Sequence, residues 1–245
     1  MSDPRVSNPY ATQRGAVDAA TPSALGVKPD ARLSAAFLTQ AFLWMFVGLI
    51  VTAGVAYIVQ SNERLLAFAS DNFFILMIAQ IALVFAIGLG IKKISATVAL
   101  GLFFVYAASL GVTIGLIVMA YTQTSVVTAF LSASAIFGAA AIYGAVTKRN
   151  LVGLGPMLFV GLIGIIVASV LNIFLVNDML AWVISIIGVV IFTALTAYDV
   201  QRIQNGDLAV ATGSMEKGAV IAALSLYLDF INIFLFMLRI FGGRN

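Results

Sequence analysis

The stretch GAVIAALSLYLDFINIFLFMLRIF, residues 218–241, is the part of the chain that decides the fold class. It can cross a bilayer as a helix, because a span needs roughly 20 apolar residues. Asp229 stands twelve residues past Lys217, which corresponds to roughly 18 Å at ~1.5 Å per residue. The carboxylate is therefore predicted near the middle of the membrane, where it costs about 2.5–3.5 kcal/mol on insertion scales. Acids at that depth are candidates for function.

Six further apolar segments precede this stretch. They cover approximately residues 35–59, 73–91, 96–121, 125–146, 151–176 and 180–202. Of the 245 residues, 62% are hydrophobic and 9% are charged, whereas a soluble domain has about 45–50% apolar and about 25% charged residues. The composition excludes a water-exposed globule. The sequence predicts an all-α membrane protein with seven transmembrane helices.

Two residue types are absent from the chain, since it contains neither cysteine nor histidine. Their absence excludes a disulfide scaffold and the usual ligand sets for haem, structural zinc and iron–sulfur clusters. The chain also has no Walker-type phosphate loop and no dinucleotide fingerprint. We therefore expect no cofactor and no nucleic-acid partner.

The first 33 residues differ from the rest, with four of the five prolines and seven charges. They predict a disordered polar tail, residues 1–33, ahead of a membrane domain, residues 34–245. No apolar segment precedes residue 34, so a cleavable signal peptide is not expected. Ten basic residues fall on the tail's side of the membrane and three on the other. The positive-inside rule then places the amino terminus in the cytoplasm, and seven spans place the carboxyl terminus outside.

A second acid, Asp199, lies near the cytoplasmic end of the sixth segment, in TALTAYDVQRIQ. The sixth and seventh helices are consecutive and antiparallel. Asp199 and Asp229 can therefore approach each other if the sixth helix continues past Asp199 and tilts. Two other interpretations remain open: Asp199 is merely interfacial, or Asp229 belongs to a hydrogen-bonded polar knot. Polar residues that flank the acids or share the face of Asp229 are candidates for support: Tyr198, Gln201, Ser225 and Asn232.

Two carboxyls within ~4 Å of each other would repel by ~4 kcal/mol at an effective dielectric near 20. They would share one proton over part of the pH range and titrate as a coupled pair. The protonated pair forms a hydrogen-bonded latch, and the ionised pair repels and releases it. The ionised pair is also a weak oxygen site for a cation, because tight Ca²⁺ binding takes six to eight oxygens. Weak binding is what permeation requires.

Small residues recur within the spans. Gly111 and Gly115 are four residues apart, and the run GAAAIYGA covers residues 138–145. Such patterns predict close helix packing. A pore lined by backbone at these glycines is the alternative. Gln40, Gln80 and Asn172, in the first, second and fifth segments, are expected to hydrogen-bond neighbouring helices, and a cation path lined by them is the alternative.

Three stretches carry a resemblance: FGAAAIYGAVTKRNL (137–151), IFTALTAYDVQRI (191–203) and LYLDFINIFLFMLRIFG (226–242). With them, the chain over residues 34–245 resembles the bacterial branch of the transmembrane Bax inhibitor motif family. The resemblance implies six helices around a central C-terminal seventh, and a pH-controlled calcium leak. On this chain the family's aspartate pair maps to Asp199 and Asp229, which would bind Ca²⁺ weakly and transiently. It also implies a bacterial plasma membrane, and we expect a monomer.

One departure from the family concerns an arginine in the second helix, which latches an aspartate in some relatives. The second span here has none, and the nearest basic residues are Lys92 and Lys93 at its end. Some bacterial relatives modulate a membrane-bound protease. The alternative function is therefore a membrane-embedded regulator that binds a membrane protease or another membrane partner.

An intramembrane aspartyl protease of the presenilin type is the minor alternative, because it also carries two aspartates on consecutive helices. Those enzymes have Gly-x-Gly-Asp on the second helix, where this chain has Leu226, Tyr227 and Leu228 before Asp229. They also need a later Pro-Ala-Leu segment, but no proline follows Pro156. We therefore do not expect an enzyme. The main expectation is a pH-sensitive calcium leak channel.

Overall fold

A computed structural model describes residues 31–242, with side chains from Arg32 onward. In this part the chain is helical and contains no strand. Its α-helices are α1 (Ala31–Gln60), α2 (Glu63–Asp71), α3 (Phe73–Gly90), α4 (Ala96–Val118), α5 (Gln123–Val146), α6 (Gly155–Leu175), α7 (Asp178–Gln204), α8 (Asp207–Thr212) and α9 (Met215–Phe241). Residues 1–30 of the predicted tail lie outside the described residues.

Seven of the helices in the described part are long and apolar enough to cross a membrane: α1, α3, α4, α5, α6, α7 and α9. The predicted all-α class with seven spans is confirmed. The span ends follow local signals. Ser95 accepts a hydrogen bond from Val98 N at 3.2 Å at the start of α4, and Pro156 occupies the first turn of α6, where its missing N–H costs nothing.

Two short helices were not predicted. Asn62 caps α2 by accepting hydrogen bonds from Arg64 N and Leu65 N at 3.0 and 3.2 Å. Helix α8 lies between Gly206 at φ 74° and Gly213 at φ 82°, left-handed conformations that glycine adopts without steric cost. Both helices are too short to span a bilayer, so a search for long apolar segments does not find them.

The contacts divide the chain into two compact units. Of the described residues, the first comprises 31–119 and 202–227, and in it α1 packs on α4. A Cβ on Gly111 would lie 2.7 Å from the carbonyl oxygen of Thr52, and one on Gly115 would lie 2.9 Å from that of Ala56. The close helix packing predicted at these glycines is confirmed. Gln80 also bonds a neighbouring helix as predicted, through Thr113 Oγ1 at 2.7 Å.

Of the described residues, the second unit comprises 120–201 and 228–242. Its described part holds α5, α6, most of α7 and the second half of α9. A Cβ on Gly144 of α5 would come within 2.9 Å of Cα and the carbonyl carbon of Ala197 in α7, and closer still to its carbonyl oxygen. The ring of Phe230 in α9 packs edge-on against Phe130 and Phe137 in α5.

Helix α9 is the most enclosed of the seven spans. Within the apolar 18-residue stretch of α9, 67% of the residues are buried, whereas the corresponding stretches of the other six spans are 11–39% buried. The resemblance led us to expect such enclosure for the C-terminal helix. The helix that carries the mid-membrane acid is therefore also the one with the least access to lipid.

Candidate functional site

Asp229 lies deep within α9, fourteen residues after Met215 and twelve before Phe241. At ~1.5 Å per residue it is about 21 and 18 Å from the two helix ends. Its side chain is 4% exposed. The predicted position near the middle of the span therefore holds in the structure, and the protein itself surrounds the carboxyl group.

Two residues of α7 meet Asp229 in the second unit. Thr196 shares a side-chain hydrogen bond with it, and Asp199 interacts with it electrostatically. Thr196 and Asp199 are three residues apart, a spacing that places both side chains on one face of a helix. Asp199 is 9% exposed. The structure thus brings the two predicted acids together, on the face that α7 turns toward α9.

The second carboxyl oxygen of Asp229, Oδ2, is buried and has no hydrogen-bond partner among the described residues. A buried polar atom left without a partner loses its hydration without compensation. A proton at this oxygen would remove the cost of burying a charge, and a cation there would supply a partner.

Thr196 was not singled out from the sequence. Its Oγ1 donates to the carbonyl oxygen of Phe192 at 2.8 Å in addition to its bond with Asp229. A hydroxyl has one hydrogen but can accept as well as donate. A protonated Asp229 can donate to Thr196 while Thr196 donates to Phe192, whereas an ionised Asp229 must compete for that hydrogen. The spacing of three residues from Asp199 is the signal that could have identified it.

The four predicted supporting residues occupy different surroundings. The hydroxyl of Tyr198 lies against Gly155, where a Cβ would come within 2.9 Å of it. Asn232 Nδ2 donates to the carbonyl oxygen of Leu228 in its own helix at 2.8 Å. Ser225 is half-buried and belongs to the first unit. These contacts hold Tyr198 against the start of α6 and Asn232 against the backbone of α9.

Gln201, the fourth supporting residue, holds the loop between α5 and α6. Its Nε2 donates to the carbonyl oxygen of Arg149 at 2.8 Å, and its Oε1 accepts from Leu151 N at 2.7 Å. The amide thus satisfies two backbone groups of what we call the basic loop, residues 147–151. This clamp was not foreseen, because Gln201 was predicted to support the acids.

The described residues contain no group of three or more aspartate, glutamate, histidine or cysteine side chains that could hold a metal ion together. The carboxyl pair alone offers fewer oxygens than the six to eight that Ca²⁺ takes in a tight site. Two carboxyl groups in contact can share a proton, but alone they do not make a tight Ca²⁺ site.

Seven apolar spans and a buried carboxyl pair define a multi-pass membrane protein of the α-helical class. The chain belongs to the Bax inhibitor family, because the family model described as inhibitor of apoptosis-promoting Bax1 matches residues 34–245. The resemblance deduced from the sequence is thereby confirmed, over the range that it predicted.

Bacterial relatives match most of the chain. The inner membrane protein YbhL of Escherichia coli K12 is 42% identical over 225 residues, which cover 89% of this chain and 96% of YbhL. An uncharacterized protein of Deinococcus radiodurans is 40% identical over 210 residues, covering 85% of this chain and 91% of the relative. A third relative, an uncharacterized protein of Borreliella burgdorferi, is 42% identical over 214 residues, which cover 85% of this chain and 92% of the relative.

Proposed function

We propose that this protein is a pH-sensitive cation leak, with Ca²⁺ as the cation and the carboxyl pair Asp199 and Asp229 as its gate. The observation that carries the proposal is the buried, unpartnered Oδ2 of Asp229 beside a second carboxyl group. Intramembrane acids in the protein interior mark ion and proton pathways in membrane proteins. Family membership, which the match over residues 34–245 establishes, supports the same assignment.

The gate works through one shared proton. When the pair holds a proton, one carboxyl donates to the other or to Thr196, and α7 and α9 stay latched. When the proton leaves, two negative charges face each other in a medium of low dielectric and repel. Because loss of the proton opens the latch, the leak should increase as the pH rises.

The ion is substrate here and not a resident cofactor. Carboxylate oxygens suit hard cations such as Ca²⁺, and a site of two carboxylates releases the ion as readily as permeation requires. The proposal involves no bond-breaking step, so the protein acts as a channel and not as an enzyme. We place it in the bacterial inner membrane, as the name of YbhL suggests for that relative, with the amino terminus in the cytoplasm.

The test is Ca²⁺ influx into dye-loaded proteoliposomes between pH 6 and 8. Wild type should become leakier as the pH rises, and Asp199→Asn and Asp229→Asn should each flatten that response. Asp178→Asn is the matched control, since Asp178 begins the same helix as Asp199 but is exposed. It should retain the wild-type response.

Wild type that is no leakier than empty liposomes at every pH would refute the proposal. The carboxyl pair would then serve structure or a partner, and the alternative of a regulator bound to a membrane protease would come first. Capture of a protease by the wild type, lost in Asp229→Asn, would support that alternative.

A further inference from the structure

The second unit contains an apolar cavity of about 640 Å³ between α5 and α7. Its walls run from Ile136 to Tyr143 on α5 and from Val189 to Ala197 on α7. Thr193, within that stretch of α7, donates its hydroxyl to the carbonyl oxygen of Val189 at 2.6 Å and so presents no free donor. The volume falls in the range of about 300–1,000 Å³ typical of small-molecule sites. Apolar walls of this kind do not hold water, so the natural occupant is apolar.

The shape of the cavity matches one leaflet of a bilayer. The stretch from Val189 to Ala197 rises about 12 Å along α7, and that from Ile136 to Tyr143 about 10 Å along α5. Half of the hydrocarbon core is about 15 Å thick. The cavity also opens sideways, because the side chains of Val190 and Tyr143 in its walls are 64% and 49% exposed. A chain from the surrounding lipid could therefore enter from the side.

One end of the cavity carries positive charge. Leu151 and Leu154 line that end, and Leu151 belongs to the basic loop. The Gln201 clamp holds this loop through the backbone of Arg149 and Leu151. The side chains of Lys148 and Arg149 in the same loop are exposed. Basic residues at a membrane surface attract anionic lipid headgroups.

We propose that this cavity binds one anionic phospholipid from the leaflet on the same side of the membrane as the basic loop. An acyl chain occupies the groove between α5 and α7, and the headgroup phosphate contacts Lys148 and Arg149. An apolar groove one leaflet deep that ends at a loop with two exposed cationic side chains has the complementary shape and charge of such a lipid. The site does not depend on the carboxyl pair, and it adds a ligand that the proposed leak does not require.

Native mass spectrometry of the full chain in detergent tests the charged end of the site. The probes are phosphatidylglycerol and phosphatidylcholine with identical acyl chains at equal concentration. Wild type should retain phosphatidylglycerol over phosphatidylcholine by about tenfold or more, and Lys148→Gln with Arg149→Gln should remove that preference. The matched control is Lys92→Gln with Lys93→Gln, a basic pair after α3, which should retain it.

A second variant tests the apolar end. Ala139 lines the cavity and is exposed, so Ala139→Phe adds a ring to the groove without disturbing buried packing. It should lower retention of both lipids. Ala135→Phe is the control, because Ala135 is exposed one turn earlier in α5 and does not line the cavity. Its ring leans toward the helix N-terminus, away from the groove.

Three results would each overturn the proposal: equal retention of the two lipids by wild type, an equal loss of preference in the Lys92/Lys93 variant, or unchanged retention in Ala139→Phe. The first would indicate binding that ignores headgroup charge, the second a general attraction of anionic lipid to the basic surface, and the third an acyl chain elsewhere. None of these results bears on the calcium leak, which is measured separately.

Discussion

Replacing Gly144 by alanine tests the contact that positions Asp199. Gly144 of α5 meets the backbone of α7 at Ala197, two residues before Asp199. A Cβ at this position would come within 2.9 Å of two backbone carbons of Ala197, and closer to its carbonyl oxygen. Backbone atoms cannot rotate out of the way as a side chain can. The two helices must therefore separate or tilt.

The size of the effect follows from two opposing contributions. Alanine favours a helix interior over glycine by roughly 0.5–1 kcal/mol, whereas overpacking of a well-packed contact costs typically about 1–3 kcal/mol. The net loss in Gly144→Ala should therefore be roughly 0–2.5 kcal/mol against wild type, and about 1–3 kcal/mol against a variant that gains the helix preference without the close contact. Gly138→Ala in the same helix is the control, because a Cβ there would meet nothing within 4 Å. It should be as stable as wild type or more stable by up to about 1 kcal/mol.

The assay is SDS-induced unfolding of the purified protein in mixed micelles, followed by helical circular dichroism. The same two variants are then compared in the proteoliposome assay. Gly144→Ala should also shift the pH at which the leak changes, because α7 carries Asp199 with it, and Gly138→Ala should not. Equal stability of Gly144→Ala and Gly138→Ala would refute the close contact, and an unshifted leak in a destabilised Gly144→Ala would refute its link to Asp199.

Three further predictions separate the roles of buried hydrogen bonds. Thr196→Val should move the pH response of the leak upward, since ionised Asp229 loses a donor, while Thr196→Ser retains the hydroxyl and the wild-type response. Gln201→Leu should release the backbone of the basic loop and speed its cleavage by trypsin severalfold; an unchanged rate would show that the clamp does not hold the loop. In the first unit, Thr52 Oγ1 lies 2.6 Å from the Tyr227 hydroxyl. Thr52→Val leaves that buried hydroxyl without its partner and should cost about 1–3 kcal/mol in SDS unfolding, more than Tyr227→Phe at about 0.5–1.5 kcal/mol; the reverse order would contradict this assignment.

The spans could be predicted because the signal for them is local. A run of apolar residues long enough for a bilayer has few options other than a helix, since every backbone polar group must be satisfied within the segment. The second span, predicted over 73–91, is Phe73–Gly90. Helix α8 escaped prediction because six residues between two glycines carry no such signal. Asp207, at its start, is 1% exposed, a burial that its loop position in the sequence does not suggest.

The acids of the candidate site could be predicted for the same reason, since a charge within an apolar run is visible in one segment. Their partners could not, because a contact between α7 and another element has no local signal. Gln201 shows the limit most clearly. It is two residues from Asp199 in the sequence, but at 100° per residue the two side chains point in nearly opposite directions. Its amide accordingly reaches the basic loop.

Helix α7 therefore connects the two proposed sites through its two sides. One side carries Thr196 and Asp199, which meet Asp229, and the other carries Ala197, which lines the cavity, and Gln201, which holds its basic mouth. A movement of α7 that separates the carboxyl pair must also change the wall of the cavity. If a lipid binds one position of α7 better than the other, it shifts the gate by that difference in affinity, and the gate changes the affinity for lipid by the same factor. The proton and the phospholipid would then act on one helix from opposite sides.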